Sequence, residues 1–94
     1  MTFEYDDRTD VMWVSLSEPS SACVYFESQT PGILLRVEES SGTVRGFQVL
    51  LWSRRLAKGP ILVPEVSDPD FQTLWLKSMP TLANLAGEPS QRTT

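Results

Sequence analysis

Polar and apolar residues alternate along the first half of the chain, and the alternation defines its elements. In "TFEY" (2–5), Phe3 and Tyr5 fall on one side and Glu4 on the other. "DVMWVSLS" (10–17) is rich in the β-branched and aromatic residues that strands favour, with Met12, Val14 and Leu16 in phase. Between them, "DDRT" supplies aspartates, whose side chains bond to nearby backbone and tolerate turn geometry. These two segments predict a β-hairpin. "EPSS" (18–21) reads as a loop and "CVYFES" (23–28) as a third strand. "QTPG" (29–32) turns the chain into "ILLRVEE" (33–39), where Ile33, Leu35 and Val37 oppose Leu34, Arg36 and Glu38. After the turn "SSG" (40–42), "TVRGFQVLLW" (43–52) alternates Phe47, Val49 and Leu51 against Gln48, Leu50 and Trp52. Gly46 within it signals a bulge or a close approach of another backbone. Five short strands joined by tight turns predict an antiparallel meander.

The alternation is incomplete. Val11, Trp13, Leu34, Leu50 and Trp52 fall opposite the main apolar set, so the pattern predicts a sheet needing cover on both faces. One cover lies further along. "SRRLAKG" (53–59) predicts a single helical turn with Ser53 as N-cap and Gly59 past its end. "PILVPEV" (60–66) is bounded by prolines and reads as an extended edge segment. "SDPDFQTLWLKSMP" (67–80) carries a helix start, with Asp68 as N-cap, Pro69 in the first turn and Asp70 complementing the dipole. Phe71, Leu74 and Trp75 form its apolar stripe over 69–78, and Pro80 closes it. Residues 83–94 are expected to be a disordered tail. The predicted fold is α+β: one domain over 1–82, with a sheet of about five strands and a C-terminal helix on one face.

Composition narrows the chemistry. The chain has 94 residues and no histidine, which removes the commonest general base and the commonest transition-metal ligand. The serines lack a G-x-S-x-G setting, and there is no Gly-rich phosphate loop or metal-ligand spacing. The expectation is a non-enzymatic protein with no catalytic residues, no cofactor and no metal. Eight basic residues against 12 acidic ones give a net charge of −4, which disfavours nucleic acid. No apolar run is long enough to cross a membrane, and the start "MTFEYDD" is unlike a secretory signal. The single cysteine, Cys23, cannot form an internal disulfide, and a reducing cytosol is the expected compartment.

Two runs carry a resemblance. "FEYDDRTDVMWVSLSE" and "PGILLRVEESSGTVRGFQVLLWSRRL" resemble, in order and spacing, the prokaryotic family called domain of unknown function 2283. Its members open with an aromatic-x-Tyr-Asp segment, an acidic turn and an apolar strand ending in Leu-Ser. A Pro-Gly turn and a Gly-rich hairpin follow. The resemblance covers residues 3 to about 56. Where the family often has Ala-Asp-Ala-Leu-Tyr, this chain has Thr9, Asp10, Val11, Met12 and Trp13. The resemblance carries over no catalytic residue. It implies at most an antitoxin-like or regulatory role, by analogy with members that look like partners of small toxin-like proteins.

Three groups stand out as candidate sites. The acids Glu4, Asp6, Asp7 and Asp10 lack the spacing of a calcium loop and are read as a solvated turn. Trp13, Leu34, Leu50, Trp52 and Trp75 are the candidate interface, which a second copy of the chain would cover in a twofold dimer. Arg54, Arg55 and Lys58 are the densest basic cluster. They are candidate contacts for an anion, a nucleic-acid backbone or an acidic partner, the alternative being solvated arginines paired with Glu38 or Glu39. Together these features predict a protein-interaction or regulatory module acting as a homodimer, with anion or nucleic-acid binding as the alternative.

Overall fold

The structure, a computed structural model, describes residues 1–87. Among the described residues there are five strands: β1 (Thr2–Asp6), β2 (Val11–Ser15), β3 (Cys23–Glu27), β4 (Ile33–Glu38) and β5 (Val44–Val49). Two helices follow, α1 (Trp52–Ala57) and α2 (Pro69–Gly87). The strands form one antiparallel sheet in the order β1-β2-β5-β4-β3. This is the α+β fold the sequence predicts, but not the single five-strand meander: β2 pairs with β5 where a meander would pair it with β3. The one non-sequential contact is β5 against β2, so a β1–β2 hairpin docks on a β3–β4–β5 meander.

The expectation for Gly46 holds in both its forms. Arg36 pairs with Gly46 but Val37 pairs with Val44, a register shift that leaves Arg45 as the extra, bulged residue. A Cβ on Gly46 would lie 2.6 Å from the carbonyl oxygen of Val14. No other residue fits there without the strands moving apart.

The core lies on one face of the sheet. Met12, Val14, Ile33, Leu35, Phe47 and Val49 are buried there. They pack under Phe71, Trp75 and Met79 of α2, which recur at i, i+4 and i+8. Leu74, expected in the same stripe, is 52% exposed, so the buried face of the helix is narrower than predicted. Asp68 caps the helix as predicted, its carboxylate accepting from the Asp70 N–H at 2.9 Å. Pro80 does not end the helix: it sits inside α2, which runs on to Gly87. Proline there forfeits one N–H and the helix bridges the gap. The expected unstructured tail, 83–94, is therefore helical as far as Gly87, and its remainder lies outside the described residues.

Residues 60–66 join no strand. They form a strap that inserts Ile61, Val63 and Val66 into the core and leaves Leu62 outside. The strap's carbonyls are met by side chains instead of a sheet ladder. Trp75 Nε1 donates to Ile61 at 2.8 Å, Gln72 Nε2 to Val66 at 3.1 Å, and the Thr30 hydroxyl to Leu62 at 2.8 Å.

Candidate functional site

The acidic turn is structural, and more so than its sequence suggests. Asp6 accepts from the Arg8 N–H at 3.0 Å, a local turn bond. Asp10 adopts a left-handed backbone (φ 57°), which aspartate tolerates. Its carboxylate reaches across to α1, accepting from the Ser53 N–H at 3.1 Å and the Ser53 hydroxyl at 2.7 Å. It also accepts from the Tyr5 hydroxyl at 2.6 Å. Ser53 is therefore not the N-cap: Leu51 holds that position without a side-chain cap, and Asp10, far away in sequence, supplies the oxygen. Burial raises the pKa of Asp10, but the bonds from Tyr5 and Ser53 and the charge of Arg54 outweigh it, and the net shift is downward. No group of three or more acidic or cysteine side chains among the described residues is placed to hold a metal.

The five candidate interface residues divide. Trp52 and Trp75 are fully buried and do not belong to any exposed surface. The reason lies at Leu51, whose left-handed conformation (φ 54°) breaks the strand alternation and throws Trp52 into the core as α1 begins. Trp75 sits among Phe3, Phe47, Phe71 and Trp52 at centroid distances between 5.3 and 6.3 Å. Leu34 and Leu50 are half-buried, and Trp13 is 41% exposed.

Trp13 and Leu34 lie on the sheet face away from the core. The register aligns Glu4, Trp13, Gln48, Leu34 and Glu27 across it in one row, and Thr2, Ser15, Gly46, Arg36 and Tyr25 in the next. Tyr25 is 52% exposed there. This face is not uniformly apolar, as the sequence pattern implied. It mixes two large aromatics with an arginine, a glutamine and flanking glutamates.

The basic trio is also dispersed. Arg55 turns inward, donating from Nε to the Leu50 carbonyl at 3.2 Å, with its guanidinium over Gly32. Arg55 and Lys58 line a shallow cleft of about 210 Å³ with Thr30 and Leu62, and Arg54 is not part of it. Neither arginine pairs with Glu38. That glutamate, 1% exposed, is met by Arg45 at 2.7 Å. It also accepts from the backbone N–H and hydroxyl of both Ser20 and Ser21, at 2.8 to 3.0 Å. Donation from Arg45 above all, opposed by burial and reinforced by the serines, holds its pKa down at about 2. The sequence reading missed this site. The signal was present in the serine-rich stretches on either side, but only the bulge at Gly46 brings Arg45 onto the side where Glu38 lies.

Comparison with protein-family models, with curated proteins and with solved structures finds no match. No helix among the described residues is long and apolar enough to cross a membrane.

Proposed function

We propose that the chain is a small non-enzymatic interaction or regulatory module that works as a cytosolic homodimer and offers its open sheet face to a protein partner. The observation that carries this reading is the coreless face, where Trp13 and Tyr25 stay about half exposed on a rigid β-scaffold. Aromatics on such a surface give large contact area for little lost side-chain entropy, and they recur as binding hot spots. Arg36 and Gln48 beside them supply polar contacts. The carboxylates whose pKa values are lowered, Asp10, Glu38 and Glu65, are each bound to the chain's own backbone N–H groups and hydroxyls. That fits a structural role better than a catalytic one. A lone cysteine suits a reducing compartment.

Affinity capture with the native chain and with Trp13→Asp tests this, after circular dichroism has shown both to be folded. The expected outcome is a protein partner retained by the native chain and lost by the variant. A monomer that retains no partner overturns the reading.

A further inference from the structure

We infer that β3 is the seam of the homodimer, pairing antiparallel with β3 of a second copy about a twofold axis through Tyr25, so that two sheets become one. This rests on the reading of the chain as a self-associating module and names the surface that does it.

The backbone of β3 shows which groups are free. Ser28 donates its N–H to Ile33 at 2.9 Å, and Glu39 donates to Ala22 at 3.0 Å. With the register Val24↔Val37 and Phe26↔Leu35, the even-numbered residues turn their N–H and C=O toward β4. Cys23, Tyr25 and Glu27 therefore present theirs outward along the sheet edge. A twofold axis at Tyr25 matches all three: Tyr25 exchanges two bonds with its counterpart, and Cys23 exchanges two with Glu27 in each direction. Val24 and Phe26 then lie opposite each other on the core side. Phe26 is 56% exposed in the single chain and gains an apolar neighbour.

Natural edge strands are blunted by proline, lysine or a bulge. "CVYFE" has none of these and carries two exposed aromatics. The opposite edge, β1, differs. It bears Glu4 and Asp6 next to Asp7, so pairing two copies there would bring like charges together. On β3 the single acid, Glu27, falls opposite Cys23 and not opposite itself. An axis perpendicular to the sheet also leaves both open faces on the same side. The dimer would then present Trp13 and Tyr25 of both copies on one continuous platform.

The seam is testable by mass and by register. Tyr25→Pro removes an outward N–H and no bond to β4, so β3 stays in its own sheet. Light scattering should give a dimer for the native chain and a monomer for Tyr25→Pro, with both folded by circular dichroism. In a Cys23→Ser background, Tyr25→Cys should cross-link spontaneously on oxidation. Its two Cα atoms would stand about 5.5 Å apart, within disulfide reach. Glu27→Cys should cross-link when Cys23 is native. With Cys23→Ser it should not, because its two copies would be about 14 Å apart. A dimer that survives Tyr25→Pro, or cysteines that do not follow this pattern, overturns the seam and leaves the module reading standing. A native chain that is monomeric yet captures a partner through Trp13 overturns both the seam and the homodimer, and leaves only the partner-binding part of the reading. A monomer with no partner ends both.

Discussion

Trp75 and Trp52 are both fully buried and lie 5.9 Å apart, yet they are bonded differently. Trp75 gives its indole N–H to the Ile61 carbonyl and so ties the strap to α2. The Trp52 Nε1 meets no acceptor among the described residues. A buried donor without a partner costs about 1–3 kcal/mol, which its large apolar ring must offset. The two positions should therefore respond differently to phenylalanine. Trp75→Phe loses ring volume and also strands the Ile61 carbonyl, and should cost about 2–4 kcal/mol. Trp52→Phe loses volume but sheds an unsatisfied N–H, and should cost at least about 1 kcal/mol less. Urea denaturation with matched slopes would show the difference. Equal losses at the two sites would mean that the indole nitrogens play no distinct part.

At the scale of elements, what the sequence made legible follows from where the forces are local. The strands were readable because alternation reports a one-sided burial that each strand carries in its own residues. The start of α2 was readable because Asp68, Pro69 and Asp70 act within one turn. Its end was not: Pro80 argues for a stop, while Met79 is held in the core and the helix continues. The start of α1 was not legible either. Its capping oxygen comes from Asp10, and its direction is set by Leu51 in a conformation that leucine rarely adopts. That junction carries a prediction. Asp10→Ala removes the cap and the bond that the Tyr5 hydroxyl donates to it, and should cost about 1–2 kcal/mol. Asp10→Asn keeps a carbonyl oxygen and the tolerance for positive φ, and should cost markedly less. A calorimetric series of the three proteins would decide it, and an alanine variant that melts with the native chain would remove Asp10 from the account of α1. The candidate site was half legible. Trp13 and Leu34 keep strand phase and fall on the open face, whereas Trp52 lies beyond the point where the phase breaks.

In the whole molecule, three carboxylates hold the connections that the sheet ladder does not reach. Asp10 joins the hairpin to α1, and Glu38 fastens the β2–β3 crossover through Ser20 and Ser21. Glu65 fixes the strap to the β3–β4 turn, accepting from the Ser28 hydroxyl and the Gln29 N–H at 2.7 Å each. Burial pushes the pKa of Glu65 up, but those two donors and its own backbone N–H together prevail, and it too lies below its ordinary value. All three shifts have the same sign. A carboxylate whose folded pKa is depressed stabilises the fold fully above its unfolded pKa, and that contribution fades as pH falls through the folded value. The window is set by Glu38, which moves from 4.5 to about 2. The melting temperature should therefore be level near neutral pH and decline steadily from about pH 4.5 toward 2. Glu38→Gln separates this mechanism from general acid effects. It cannot ionise and accepts more weakly from Arg45, so it should melt lower than the native chain at pH 7. It should also lose less on acidification, and the two melting curves should converge toward pH 2. Parallel curves across that range would place the acid sensitivity elsewhere than in the bonds that close the crossover loop over the end of the sheet.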